Sequence, residues 1–161
     1  MKRFLFLPLL AATSLALTGC FEEESRLYDG PTLSEFRPGP SGAGAGAYTR
    51  ALTNPAVAAG ARRDSVVIQL VVAKPHTAPV TVNYEIDATS TALATRDYVL
   101  VSPPGTVTFQ PGVYSVPVYF NTVPDVDPAT TTARTLLFNL MDTGDVKASP
   151  NYKRFTFNIA R

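Results

Sequence analysis

"VTVNYEID", residues 80–87, alternates apolar and polar side chains along its whole length. Successive side chains of an extended strand point to opposite faces, so the apolar members of this stretch share one face. They are Val80, Val82, Tyr84 and Ile86. The pattern predicts a strand that is buried on one face and exposed to solvent on the other, as in an antiparallel sheet.

Similar short apolar stretches lie on both sides of residues 80–87, and no helical period separates them. Proline and glycine turns bound them, for example at residues 103–105 and 111–112. Further strands are predicted at residues 32–37, 65–72, 98–101, 106–110, 114–121, 136–141 and 154–160. This organisation predicts an all-β fold, an immunoglobulin-like antiparallel β-sandwich of about seven to eight strands.

Pro117 lies inside the predicted strand 114–121. Proline has no backbone N–H group and cannot donate to a neighbouring strand. We therefore expect this strand to lie at the edge of a sheet or to carry a bulge.

The composition fits one small domain without disulfide bonds. The chain has 161 residues, 14 prolines, 10 glycines and a single cysteine. Without residues 1–19 it keeps twelve basic and thirteen acidic residues, because that segment contributes only the charges of Lys2 and Arg3. A chain with so little net charge is not expected to bind nucleic acid.

The N-terminus has the pattern of a secretory signal. Lys2 and Arg3 precede an apolar segment at residues 4–17, which is too short to span a bilayer. Residues 17–20, Leu-Thr-Gly-Cys, resemble the lipobox of bacterial lipoproteins. The resemblance implies that residues 1–19 are removed as a signal peptide and that acylated Cys20 anchors the mature chain to a membrane. The alternative is a free thiol, which is a liability in an oxidising compartment.

Residues 20–31 are predicted to be an acidic tether between the lipidated cysteine and the folded domain. The glutamates at residues 22–24 can lie neither in a core nor in hydrocarbon. An acidic cluster directly after the cysteine resembles the signal with which some Gram-negative bacteria export lipoproteins to the outer face of the outer membrane. We therefore expect a lipid-anchored protein exposed at the surface of the outer membrane.

The β-sandwich is assigned to residues 32–161, with an insertion rich in glycine, alanine and proline at residues 38–64. Glycines alternate with small residues within this insertion, but their spacing fits no nucleotide-binding loop. We expect the insertion to lie at the surface and, if it closes over a ligand, to contact that ligand through Tyr48 and Arg50.

Residues 65–161 resemble the Calx-beta module and related sandwich domains of surface lipoproteins. The resemblance rests on an Asp-Tyr pair, a Gly-Thr-aromatic strand, a Pro-Gly turn and two apolar strands, at residues 97–98, 105–109, 111–112, 116–118 and 136–140. It implies a sandwich in which Val107 and Phe109 fill the core. Gly112 is expected to permit a hairpin between the strands at 106–110 and 114–121.

Calcium-binding members of that family use an acidic turn followed by a glutamate-rich segment. This chain has Arg134 where acidic ligands would be sought, and the candidate metal ligands that remain are Asp97, Asp125 and Asp127. Calcium requires about six to eight oxygen ligands, whereas aspartates in proline-rich turns commonly stabilise the turn itself. Calcium-dependent adhesion stays open as an alternative function, and no other cofactor is expected.

The sequence contains no recognisable catalytic motif. His76, the single histidine, lies in a proline-flanked turn and has no nucleophile motif to accompany it. Hydrolysis by carboxylates would require Glu85, Asp87 and Asp97 to converge, but the first two are predicted on the outer face of a strand. We expect no enzymatic activity, and a hydrolase with an atypical carboxylate site is the alternative.

Three tyrosines are candidates for an exposed, ligand-binding ring: Tyr48, Tyr119 and Tyr152. Other aromatic residues fall on apolar faces and are predicted to be core: Tyr84, Phe109, Tyr114, Phe120, Phe138, Phe155 and Phe157. The favoured function is a non-catalytic, lipid-anchored module that binds glycans or protein partners at the cell surface, for example in a glycan-uptake assembly.

Overall fold

The computed structural model describes residues 28–38, 48–53, 55, 59–124 and 132–160. These residues form ten β-strands in chain order: β1 Leu33–Phe36, β2 Thr49–Thr53, β3 Arg62–Val71, β4 Val80–Ile86, β5 Tyr98–Leu100, β6 Thr106–Phe109, β7 Ser115–Thr122, β8 Arg134–Met141, β9 Lys147–Ala148 and β10 Arg154–Ala160. None of the described residues forms a helix long and apolar enough to cross a membrane.

The strands form two five-stranded sheets that pack face to face. The first sheet has the order β5-β7-β3-β1-β9, and the second has the order β2-β10-β8-β4-β6. Most neighbouring strands are antiparallel, and two pairs towards the sheet edges, β1 with β9 and β2 with β10, are parallel. The prediction of an immunoglobulin-like β-sandwich is therefore confirmed.

The core lies between the two sheets and is rich in phenylalanine. β4 has the predicted alternation, since Val82 and Tyr84 are buried while Thr81 and Glu85 are exposed. Six phenylalanines from both sheets are fully buried: Phe36, Phe109, Phe120, Phe138, Phe155 and Phe157. The rings of five of them, all except Phe109, pack edge to face or tilted, with neighbouring centroids 4.9–6.1 Å apart, a spacing typical of aromatic pairs.

The prediction of a hairpin at Gly112 is wrong. The turn has the expected local geometry, because the Val113 N–H donates to the Gln110 carbonyl at 2.8 Å and Gly112 has φ +76°. Proline before a glycine with positive φ is the pattern of a type II turn. The strands that it joins, β6 and β7, belong to different sheets. The turn therefore connects the two layers of the sandwich and does not join neighbouring strands.

Pro117 lies in the part of β7 that has one strand neighbour. Its Cα partner on β3 is Val67, whereas the pairing of β5 with β7 covers only residues 120–122 of β7. The missing N–H group of proline is tolerated here because no described strand pairs with the other side of β7 at this position. β7 lies between β5 and β3, so it is not an edge strand as a whole, and only this part of it has the expected open side.

The described part of residues 38–64 contains regular structure that the sequence did not predict. β2 lies wholly within that range, and β3 begins there at Arg62. β1 pairs with β3 in the first sheet, and the chain then changes layer, so that β2 pairs with β10 in the second. This change of layer places the end of β1 and the start of β2 on either side of a cleft.

Candidate functional site

A cleft of about 510 Å³ opens where β1 ends and β2 begins, and we call it the switch cleft. Its described lining residues come from both sheets: Arg37, Pro38, Arg50, Ser65, Val66, Val67 and Phe155. Within the described part of the chain, β1 covers only residues 68–71 of β3, and one side of residues 62–67 has no strand neighbour. Concave sites of this kind, apolar with a few polar groups, are typical of ligand binding.

Arg50 lies between the sheets. It is the Cα partner of the core residue Phe157, and its guanidinium stacks over the Phe157 ring at 4.8 Å from the centroid. Its Nη2 donates to the carboxylate of Asp64 and, at 3.1 Å, to the carbonyl of Ser65. Burial lowers the pKa of Arg50, and the nearby charge of Arg62 lowers it further. The guanidinium remains charged at neutral pH because its pKa starts so high.

The Arg50–Asp64 pair covers the open side of β3. The Val67 carbonyl accepts a bond from the N–H of Arg37, so Ser65, two residues earlier, also directs its backbone groups to that side. The Ser65 N–H donates to Asp64 at 2.6 Å and the Ser65 carbonyl accepts from Arg50. Both groups are thereby satisfied without a neighbouring strand, which discourages strand addition by another chain at this position.

Two of the three candidate tyrosines come together beside the cleft. The rings of Tyr48 and Tyr152 are stacked, with centroids 4.9 Å apart and an interplanar angle of 26°. Tyr48 also packs edge to face on Phe155, which lines the cleft, at 6.4 Å. Tyr152 remains 39% exposed. Burial raises the pKa of Tyr48, with Tyr152 and Glu35 adding to the effect, so its hydroxyl is protonated at neutral pH.

The third candidate, Tyr119, lies elsewhere. It is on β7, is 37% exposed, and is not part of the stacked pair, although its Cα partner on β3 is Ser65, which lines the switch cleft. The guanidinium of Arg63 covers its ring at 4.3 Å from the centroid. One ring face is therefore occupied by a cation.

Asp97 is fully buried and forms hydrogen bonds within the loop before β5. Its carboxylate accepts bonds from the Leu93 N–H at 2.7 Å and from Arg96 Nη2 at 2.9 Å. Asp125 and Asp127 lie outside the described residues, and the described residues contain no group of three acidic, histidine or cysteine side chains placed to hold a metal. The calcium site stays a prediction that depends on Asp125 and Asp127.

The three carboxylates considered for hydrolysis, Glu85, Asp87 and Asp97, all among the described residues, do not form a cluster. Glu85 and Asp87 belong to the outer face of the second sheet, whereas Asp97 is buried next to β5 in the first. The ring nitrogens of His76 each lie close to a backbone carbonyl, Nδ1 at 2.9 Å from Ala78 and Nε2 at 3.0 Å from Val113. Both nitrogens are thus directed at the backbone of turns.

Asp87 anchors a polar network on the outer face of the second sheet. Its carboxylate accepts bonds from the hydroxyl and the N–H of Thr89, at 2.6 and 2.8 Å, and from Asn139 Nδ2 at 2.6 Å. Arg154 Nη2 lies 3.2 Å away. These contacts, with the Thr89 hydroxyl first, lower the pKa of Asp87 to about 2. They stabilise the charged carboxylate and explain its position without a catalytic role.

Replacing Asp87 by asparagine is expected to make stability less dependent on pH in acid. A carboxyl whose pKa is lowered to about 2 in the folded state stabilises the fold fully above its ordinary value of 3.8. That contribution is lost as the pH falls through about 2. Thermal unfolding of wild type and Asp87→Asn should therefore differ most near neutral pH and converge between about pH 4 and about pH 2. Parallel curves over that window would contradict the assigned pKa.

Sequence reasoning named Arg50 as a contact of the insertion, but it missed Arg37, Asp64 and the strand that places Arg50 in the cleft. Thr49–Thr53 alternates between exposed and half-buried positions, but Arg50 occupies an inward position, where an apolar residue is expected. The sequence contained two signals. Arg50 lies in a short alternating segment, and Asp64 follows fourteen residues later, directly before a predicted strand. Nothing local in the sequence indicates that these two segments meet across two sheets.

No protein-family model matches the sequence, and no curated protein matches it either. Similar folds are found among solved structures. The apo-form Calx CBD1 domain is 19% identical over 82% of this chain and 100% of its own, with a TM-score of 0.53. The calcium binding domain CBD12 of CALX1.1 is 19% identical over 78% of this chain and 44% of its own, with a TM-score of 0.54.

A third similar structure is a candidate carbohydrate-binding protein from Bacteroides ovatus. It is 10% identical over 80% of this chain and 36% of its own, with a TM-score of 0.55. This chain therefore spans less than half of the CBD12 and Bacteroides ovatus chains. At these identities the similarity concerns the fold alone, and the chain has a Calx-beta-like β-sandwich fold.

Proposed function

We propose that this protein is a non-catalytic glycan-binding module, anchored by lipid on Cys20 and exposed at the outer-membrane surface of a Gram-negative bacterium. The lipobox-like residues 17–20 and the acidic tether support the anchoring and the location. The Calx-beta-like fold supports a binding module, because the similar structures include domains named for binding calcium or carbohydrate.

The stacked Tyr48–Tyr152 pair at the switch cleft is the observation that carries the proposal. A sugar ring presents an apolar C–H face that packs on an exposed aromatic ring, and hydroxyl groups that bond to nearby polar side chains. Tyr152 supplies a partly exposed ring, held in place by Tyr48. Arg37 and Arg50, in the adjacent cleft, supply hydrogen-bond donors.

Replacing Tyr152 by alanine is expected to reduce glycan binding by about tenfold or more, because it removes the exposed half of the stacked pair. The measurement is a glycan array followed by calorimetry with the glycan that is retained. Tyr152→Phe is the matched control, since it keeps the ring and should keep most of the affinity. Tyr119→Ala removes a similarly exposed ring that does not belong to the stacked pair, and it should have no effect. Equal losses in Tyr152→Ala and Tyr119→Ala, or retention of no glycan at all, would contradict the proposal.

A further inference from the structure

The described charged residues that line the switch cleft are Arg37 and Arg50, and both are positively charged. Arg62 adds a third positive charge close to Arg50. Two carboxylates lie nearby: Asp64, which is paired with Arg50, and Glu35 on β1, which accepts from the neutral amide of Gln69 and keeps its negative charge. Three guanidinium groups against two carboxylates leave an excess of one positive charge among these described residues.

Arg37 is the guanidinium available to a ligand. It is exposed and follows β1 directly, and its backbone N–H donates to the Val67 carbonyl at 2.9 Å, which fixes its Cα at the rim of the cleft. No described residue forms an ion pair with its side chain. A guanidinium binds a carboxylate or sulfate through two parallel N–H···O bonds, and both partners are charged.

Apolar surface lies within reach of the same guanidinium. Phe155 and Val66 line the cleft but are only 1% and 2% exposed, so they offer a ligand almost no surface. The apolar surface open to a ligand is the 39% exposed ring of Tyr152, which Tyr48 connects to Phe155. The Tyr152 carbonyl accepts from the N–H of Phe36, the residue before Arg37, at 2.9 Å. A uronic acid or a sulfated sugar presents an anionic group and an apolar ring face together. The Arg37 guanidinium complements the anionic group, and the Tyr152 ring complements the apolar face.

We propose that the switch cleft selects acidic saccharides, with Arg37 binding the carboxylate or sulfate group and the Tyr48–Tyr152 pair packing against the sugar ring. This inference rests on the proposed glycan-binding function and names the class of glycan. Arg50 contributes positive charge from inside the sandwich, while its hydrogen bonds to Asp64 and Ser65 hold it in place.

The test is affinity gel electrophoresis of the full chain, purified in a non-ionic detergent. The acidic probes are polygalacturonate, hyaluronate and chondroitin sulfate, and the neutral probes are methyl-esterified polygalacturonate, dextran and mannan. We expect retardation by at least one acidic polysaccharide and weaker retardation by the neutral ones. Arg37→Gln should weaken retardation by about tenfold or more, because a hydrogen bond between charged groups is lost.

Lys74→Gln is the matched control. It removes the same charge from an exposed position beyond the opposite end of β3, and its retardation should equal that of wild type. Equal retardation by acidic and neutral polysaccharides, or an unchanged affinity of Arg37→Gln, would overturn this inference and leave the glycan-binding function standing. Absence of retardation by every probe would overturn both.

Discussion

Replacing Phe157 by alanine is expected to lower the free energy of unfolding by about 3–5 kcal/mol, the usual cost of removing a buried phenylalanine ring. Phe157 is fully buried at the centre of the aromatic core. Its ring centroid lies 4.9 Å from those of Phe120 and Phe155 and 5.9 Å from that of Phe138. Phe120 belongs to the first sheet and the others to the second. The cavity left by the missing ring would therefore lie between the two sheets.

The same substitution removes the aromatic surface beneath Arg50. We therefore expect the switch cleft to lose its geometry together with global stability. Urea unfolding followed by circular dichroism measures the change. Tyr119→Ala, which removes an exposed ring, should cost about 1 kcal/mol or less, mainly through its contact with Arg63. Similar losses for both variants would contradict the described core.

Replacing Cys20 by serine is expected to abolish retention of the protein in the membrane. Several acyl chains on one cysteine provide stable anchoring, whereas the described residues offer no membrane-spanning helix to replace them. Cell fractionation should find wild type in the outer membrane and the variant outside that fraction.

Intact-mass measurement of the purified wild type gives an independent reading of the same modification. It should show removal of residues 1–19 and the added mass of lipid on Cys20. A bare thiol in the wild type, or a Cys20→Ser variant that still sediments with the outer membrane, would contradict the anchoring proposal.

The strands were predictable where one face is apolar and the other is polar. β4 and β10 alternate over seven residues each, and their buried positions match the apolar positions in the sequence. Local turn chemistry was also readable, since Pro111 and Gly112 form the expected turn. The sheet to which each strand belongs was not readable, because pairing joins residues that are distant in sequence.

Part of the candidate site was also predictable from the sequence, and part was not. Tyr48, Tyr119 and Tyr152 were predicted to be exposed; Tyr119 and Tyr152 are, whereas Tyr48 is half-buried against the core. The stack of Tyr152 with Tyr48 depends on the pairing of β2 with β10, which brings together residues about a hundred positions apart. The contact between Arg50 and Asp64 likewise joins the two sheets across the core. β2 was not predicted because Arg50 occupies an inward position, where sequence patterns lead one to expect an apolar residue.

Amide chemical shifts during titration with a retained acidic oligosaccharide test most directly the claim that this sandwich functions by binding at the switch cleft. We predict that the largest shifts occur at Arg37, Arg50 and Tyr152, that they saturate, and that the oligosaccharide is recovered intact. Shifts centred on the two turns that contain His76 and Val113, or cleavage of the oligosaccharide by the purified protein, would contradict the account.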